Sequence, residues 1–454
     1  MPRASGAALC ASKPQRPRRN CGGTSEYDET ATRHRQVNGL TQAWRRLAAL
    51  SWSRSHLVPV EQVGPEVHWA RNSDLDALLT PGGPLPRLLV EEQPKRISLV
   101  DTLWRELSHG LDRPKMAALV AAADYTPADC HLARFRKAAA FPGSGLVMPT
   151  PGNLWAYSSF PARWGDPQLA KIAGIRVGSD GTKFHRSAWR AAPRIKERVA
   201  LITTQFSYMY GHWLCDTISA VAWLMPAIRD GRVRLLAKPL TDWQRAVLDH
   251  LAVPRSSILE RDEPIVRCDD LLVAASLGAS DIGRPSLRQR QTFDALRRVT
   301  STEGPALIYV ARDRIVHPRT MTNEDEVISR LTDVGFTILR PERLSFEEQV
   351  RTFSQARVIA GAHGSGMGNI GLAPPGCIVL EVMPEDWVQA WTFRMCAVLG
   401  HRYVSHVADV DPCSRGEVAH DGNIRFPDGL WYRANVGVLV QQAQDIKQKI
   451  GLKA

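Results

Sequence analysis

Between residues 198 and 407, short apolar runs alternate with amphipathic segments of helical length. Val199–Thr203, Val233–Ala237 and Leu271–Ala275 read as strands. Gly211–Leu224 reads as a helix, as does Trp243–Leu251, which Thr241 or Asp242 caps. Ala306–Ala311, Phe336–Leu339, Val358–Gly361, Ile378–Val382 and Tyr403–Val407 continue the strands. Between them lie a helix over Glu324–Val334 stopped by Gly335, a helix opened by the capping box Ser345–Glu348, and a helix over Trp387–Leu399. Strands separated by helices form parallel βαβ units, so the expected fold is α/β, with two Rossmann-like domains facing a cleft. The expected division is a tail over residues 1–50, an N-terminal α/β domain over 51–290 and a C-terminal Rossmann-like domain over 291–454. Gly278–Arg290 reads as the connection, and a last helix near Gly437–Ile450 is expected to pack back on the first domain. Residues 51–197 give only a weak periodic signal.

Charge is unevenly spread. Residues 1–50 hold nine Lys/Arg against three Asp/Glu, so this segment supplies +6 of the formal +12. With Pro, Gly and Ser interspersed it reads as a disordered basic tail, and the sharper reading is attraction to an anionic membrane. No base-reading motif accompanies the charge, so nucleic acid is set aside. No apolar stretch reaches the ~18–20 residues of a membrane span, and the N-terminal apolar run is too short for a signal peptide. The expected location is therefore cytoplasmic, with peripheral contact at the inner face of the membrane through the tail. The eight cysteines show no CxxC pair and read as reduced thiols, several of them buried.

The strongest local pattern is Val358-Ile359-Ala360-Gly361-Ala362-His363-Gly364-Ser365-Gly366-Met367-Gly368-Asn369. A buried strand enters a turn with four glycines and a helix follows. Glycines let backbone approach a ligand, and N–H groups at the helix start attract an anion such as a diphosphate. In open α/β sheets ligands sit beyond the carboxyl ends of strands, which is where this turn falls. A tight connection without ligand is the plainer alternative. An NAD-linked dehydrogenase is a poorer one, because Asn369 stands where the third glycine of its fingerprint belongs. Glu381 lies in the next strand, positioned to accept sugar hydroxyls or to be a solvated carboxylate.

Arg312 follows the strand at Tyr309, and Arg319, Asn323 and Glu324 come after it. Guanidinium forks suit phosphate oxygens, and they also suit surface ion pairs. His212 and Asp216 are one helical turn apart and share a face at the start of a helix. That pair suits a general base with its orienting carboxylate, or a packed core histidine.

Together these motifs resemble glycosyltransferase family 61. They are Tyr210-Gly211-His212-Trp213-Leu214-Cys215-Asp216, Tyr309-x-x-Arg312, Arg319-x-x-x-Asn323-Glu324, Gly361-Ala362-His363-Gly364-x-Gly366-x-x-Asn369, Pro374-Pro375-Gly376 and Glu381. The resemblance spans about residues 200–385. It implies an inverting, GT-B-type transferase using a nucleotide-sugar, generally a UDP-sugar, with a glycan or lipid-linked acceptor. Bacterial members are usually linked to capsular or other surface polysaccharides. It implies donor contacts by Arg312, Arg319, Asn323, Glu324, His363, Gly364, Ser365, Gly366, Asn369 and Glu381, and catalysis by His212 and Asp216. Ser365, Met367 and Gly368 depart from the residues many relatives carry. The sequence is read as holding no Asp-x-Asp tripeptide for a metal-bridged diphosphate, so neither a metal nor any other cofactor is expected. A non-catalytic nucleotide-sugar or glycan-binding scaffold stays open as the alternative, with the NAD-dependent oxidoreductase behind it.

Overall fold

In the computed structural model the described residues are 57–452, apart from 60, 64–69, 83–85, 123, 156–168, 276–283, 298–303, 313–318, 413, 415, 419–423 and 427–428. The basic tail, Cys10, Cys21, Cys413 and residues 278–283 of the segment read as a connection lie outside them. Two large sheets organise the rest. The first uses β1 (Ala70–Asn72), β2 (Arg87–Glu91), β3 (Cys130–Phe141), β4 (Leu146–Met148), β5 (Arg194–Leu201), β6 (Arg234–Ala237), β7 (Ile258–Glu260) and β8 (Val266–Ala275). Its order is β7-β6-β5-β8-β3-β2-β1, with β4 paired to β3. The four strands β5 to β8 are mutually parallel, and β3 runs antiparallel to β8.

The second sheet holds β9 (Leu307–Val310), β10 (Arg319–Met321), β11 (Thr337–Leu339), β12 (Val358–Ala362), β13 (Ile378–Pro384), β14 (Arg402–Val410) and β15 (Leu430–Arg433). Its order is β10-β15-β14-β13-β12-β9-β11, parallel from β14 to β11. The fold is α/β, as the alternation predicts.

Helices form where caps and apolar stripes agree. A short turn of helix, Tyr210–His212, passes through a π-helical segment, Trp213–Thr217, into α1 (Ile218–Arg229). A capping box between Thr241 and Gln244 opens α2 (Asp242–His250), and one between Ser286 and Gln289 opens α3 (Leu287–Leu296). Then follow α4 (Glu324–Val334), closed by left-handed Gly335, and α5 (Phe346–Phe353) behind the Ser345–Glu348 box. The set ends with α6 (Trp391–Leu399) and α7 (Val436–Lys449).

Two sequence expectations need correcting. The connection drawn to Arg290 ends inside a helix, because Ser286 and Gln289 satisfy the first backbone donors of α3 and fix its start. The helix expected from Trp387 begins at Trp391, after a turn in which Trp387 N donates to Pro384 O. The last helix lies along α4 and shares its apolar cluster through Leu439, Ala443 and Ile446. It also touches the N-terminal part at residues 104–107, where Gln442 Nε2 donates to Leu107 O and Lys449 Nζ lies over the Trp104 ring.

Residues 54–454 form one compact unit. A continuous apolar cluster explains why: it joins Trp213, Leu224 and Val247 from the first half to Met367, Ile370 and Phe393 from the second. Helix α3 sits between the halves. Gln289 Nε2 donates to Cys215 O and Thr292 Oγ1 to Ser219 Oγ, while Arg297 Nη1 donates to Gly371 O and Ala373 O. Phe293 fills the space where any side chain at Gly371 would stand. Cys130, Cys215, Cys268, Cys377 and Cys396 are buried free thiols.

Two buried histidines tie this packing to pH. His401 donates through Nε2 to Ile370 O at 2.9 Å, and His406 Nδ1 lies 2.7 Å from Gln442 Oε1. Burial lowers each to about 4. The unfolded chain protonates near 6.5, so it takes up protons first as pH falls. Stability present above pH 6.5 should therefore drain away between 6.5 and 4 and change no further below. Urea midpoints across that range should fall for wild type and flatten for His401→Gln; an equal slope in both would remove His401 from the account.

Candidate functional site

The site is built where the carboxyl ends of the two parallel sheets meet. On the first side, β5 ends at Leu201, and a loop carries the chain into Tyr210–His212. On the second side β9 delivers Arg312, β12 delivers the 363–366 turn, and β13 delivers Glu385 to Ala390. The two come into direct contact. Gly211 lies against Ser365, and a Cβ at Gly211 would be 3.6 Å from Ser365 Cα. The Tyr210 hydroxyl lies 2.7 Å from Asn369 Oδ1 and 2.9 Å from Gln349 Oε1, and Asn369 Nδ2 donates to the same Gln349 oxygen. Asn369 is fully buried, so its amide holds the turn to the first half and to α5.

His212 and Asp216 do share a face. His212 Nδ1 lies 2.9 Å from Asp216 Oδ2, and Phe206 stacks on the imidazole at 5.0 Å between centroids. A carboxylate can only accept, so the ring proton sits on Nδ1 and Nε2 keeps its lone pair. The His212 side chain is 22% exposed while Asp216 is buried, so the imidazole is reachable and its anchor is not. Asp216 falls in the π-helical segment, a distortion that occurs often at functional sites.

A second histidine–carboxylate pair lies under the glycine turn. His363 Nδ1 is 2.7 Å from Glu381 Oε1. Glu381 was expected at a strand end with its oxygens turned to a sugar. It stands in the middle of β13, fully buried, and accepts further bonds from Thr392 Oγ1 and from Tyr403 OH at 2.8 Å. Its acceptors are occupied from three sides, so its reach toward any ligand runs through the His363 ring. Thr392 and Tyr403 carry no sequence signal, since only the tertiary fold brings α6 and β14 onto β13.

Arg312 shapes the turn. Nη1 donates to Arg319 O at 3.1 Å and Nη2 to His363 O, and its backbone N–H reaches Glu324 Oε1 at 3.3 Å. A Cβ at Gly364 would run into this guanidinium, so a larger residue there would require the Arg312 side chain to shift. Arg319 lies over the Trp387 ring at 5.3 Å. Burial, and after it the neighbouring Arg312 charge, lowers Arg319 to about 10. Two guanidinium groups held this near each other create a site suited to an anion. Glu324, at the start of α4, accepts from Tyr309 OH at 3.2 Å, and burial raises its pKa.

Asn323 does not share this arrangement. Its Nδ2 donates to Ala434 O and its Oδ1 accepts from Ala434 N, so it joins the start of α4 to the chain leaving β15. Ser365 and Gly366 are the partly exposed residues of the turn.

The premise about acidic tripeptides also needs correction, because Asp-x-Asp occurs twice outside the donor motifs. In Asp74-Leu75-Asp76, Asp74 caps a short helix and Asp76 pairs with Arg232. In Asp409-Val410-Asp411, Asp409 shares Arg113 with Glu385. Among the described residues no group of three His, Cys, Asp or Glu is arranged to hold a metal. Among them, too, no helix is long and apolar enough to cross a membrane.

Residues 210–380 match the family model described as Glycosyltransferase 61. The match begins at Tyr210, takes in His212, Asp216, both arginines and the glycine turn, and stops one residue short of Glu381. Over 144 residues the chain is 26% identical to Alpha-1,3-arabinosyltransferase XAT3 of Oryza sativa subsp. japonica, a stretch that makes up 30% of this chain. The chain spans 23% of that relative's length. The segment that builds the site is thus similar to glycosyltransferase family 61.

Proposed function

We propose that the chain is an inverting, GT-B-type glycosyltransferase acting without a metal. It moves a sugar from a nucleotide-sugar, of the UDP class, to a hydroxyl of a glycan or lipid-linked acceptor in surface-polysaccharide assembly. The observation that supports this reading is the direct packing of Gly211, next to His212, on Ser365 of the glycine turn. The donor diphosphate lies along the turn at Gly364, Ser365 and Gly366, with the Arg319 guanidinium facing its oxygens and the His363 ring beside them. Arg312 and Glu381 act as positioning residues, the first on the turn's backbone and the second on the His363 ring.

The acceptor hydroxyl attacks the anomeric carbon in line with the departing diphosphate. Its proton passes to His212 Nε2 as the new C–O bond forms, and the bonding pair of the old C–O bond leaves on the phosphate oxygen. Asp216 stabilises the imidazolium that results. The positive groups around the turn offset the charge on the leaving group, which is the task a divalent ion performs in other transferases.

Ligand that binds only the folded state raises the melting temperature according to its affinity. UDP, UDP-hexoses and UDP-pentoses should each stabilise the protein equally with and without EDTA, and one UDP-sugar should be consumed. The rice relative's arabinosyl transfer is the reason to include pentoses. No shift with any UDP compound would sink the donor assignment. Binding without transfer or donor hydrolysis would favour the non-catalytic scaffold.

A further inference from the structure

Residues 102–115 come early in the chain, yet they help to complete the second sheet. β14, already paired to β13, bonds to this segment as well. Tyr403 N donates to Thr102 O at 2.7 Å, Trp104 N to Tyr403 O at 2.9 Å and His109 N to Ser405 O at 2.8 Å. At Gly110 the backbone takes φ +76°, and a Cβ there would stand 2.5 Å from Val407 Cβ, so the chain turns directly over β14. That turn leads to Arg113 and the helix over Pro114–Ala121.

Arg113 divides its fork between two carboxylates. Nη1 donates to Glu385 Oε2 at 2.8 Å and Nη2 to Asp409 Oδ1 at 2.7 Å, while Lys115 Nζ donates to Asp386 O at 2.7 Å. The turn that leaves β13 is also bonded within its own half. Glu385 N donates to Ala408 O at 3.0 Å, and Trp387 N to Pro384 O at 2.9 Å. What this fastened turn presents is the Trp387 ring, with the Arg319 guanidinium 5.3 Å from its centre. The Arg113 side chain is 39% exposed, so its ion pairs add little to stability. Their effect is on position.

Arg319 gains from such a partner. The like charge of Arg312 is close, and Arg312 Nη1 donates to Arg319 O. With no anion between them the two guanidinium groups repel. An aromatic face attracts a guanidinium without neutralising it, whereas a carboxylate in that place would compete with a diphosphate for the same fork.

We propose that Trp387 is a positioning residue of the donor site: its ring holds the Arg319 guanidinium ready for the diphosphate, and Arg113 holds the turn that carries the ring. The inference rests on the transferase reading for the identity of the anion. It brings in two residues outside the segment 210–380 that matches the family model.

The test is calorimetric titration of the full chain with inorganic pyrophosphate and with UDP. It compares wild type, Trp387→Ala, Trp387→Phe, Arg113→Gln and the double variant Trp387→Ala/Arg113→Gln. Trp387→Ala should weaken both ligands about tenfold, and Trp387→Phe, which keeps an aromatic face, should regain most of that. Arg113→Gln should weaken them about threefold by itself and add nothing in the Trp387→Ala background, because its effect passes through the ring. A purely structural contact would lower the melting temperature without that coupling. Pyrophosphate binding by Trp387→Ala equal to wild type would overturn the proposal. Equal losses in the alanine and phenylalanine variants would do the same, since the aromatic face would then be irrelevant. Additive losses in the double variant would break the link from Arg113 to the ring. Wild type that binds pyrophosphate but not UDP would remove the nucleotide-sugar reading, and the pyrophosphate series would still decide the role of Trp387. Wild type that binds neither would overturn the proposal.

Discussion

His212→Ala should lower kcat for sugar transfer by about 10²–10⁴-fold and leave the UDP-induced melting shift intact. The size follows from the role: an acceptor hydroxyl without a base must lose its proton to water during attack. The intact donor shift follows from the proposed placement, which puts the imidazole in the first half and the diphosphate on the turn of the second. Asp216→Asn should cost less in rate, because an amide still fills the space at 2.9 Å and orients the ring but stabilises the imidazolium poorly. Rates measured with saturating donor decide it. A His212→Ala enzyme within threefold of wild type would pass the base to another group, and the buried His363 would be the next to substitute.

Glu381→Ala should destabilise the protein by about 3–5 kcal/mol, read from the urea midpoint, and abolish the UDP shift as well. Three buried groups lose their acceptor together: the His363 ring, the Thr392 hydroxyl and the Tyr403 hydroxyl. Each unpaired polar group in such a place costs about 1–3 kcal/mol, and water has little access to replace the carboxylate. Glu381→Gln separates the two effects. It keeps the volume and most of the hydrogen bonds, so stability should largely return, while His363 loses the charge that fixes its tautomer. Stability of the alanine variant equal to wild type would show that the network relaxes around the gap.

Much of the second half was legible because local signals agreed with one another. Glu324–Val334 has an acidic first turn and a left-handed glycine at its end, and both bounds match the structure. The strands Leu307–Val310, Val358–Ala362 and Ile378–Pro384 are short apolar runs buried on both faces, the pattern a parallel sheet imposes. The His212–Asp216 pair was legible because four residues of helix make neighbours of them even through a π-helical segment. Residues 51–197 were not, and β3 shows the reason. Its twelve residues from Cys130 to Phe141 are buried on both faces over most of their length, so neither the alternation of a half-exposed strand nor a helical period survives. Its partners, β2 and β8, are distant in sequence, and no local pattern announces them. The same holds for Asn323. Its place before a helix marks it in sequence, but its commitment to Ala434 comes from the sheet beyond.

The wedge formed by α3 limits how this protein can be recombined. Transferases with separate donor and acceptor halves invite chimeras that trade one specificity for another by joining halves at the linker. Here the linker helix itself belongs to both halves: Gln289 and Thr292 are fitted to the 213–229 helix of the first, and Phe293 and Arg297 to the 365–373 segment of the second. A junction at residue 290 would place a foreign ring, or none, over Gly371, and would leave the carbonyls of Gly371 and Ala373 without their arginine. A graft that preserves the interface must therefore carry α3 together with the 365–372 helix as one inheritance unit, so that the donor half brings its own lock with it.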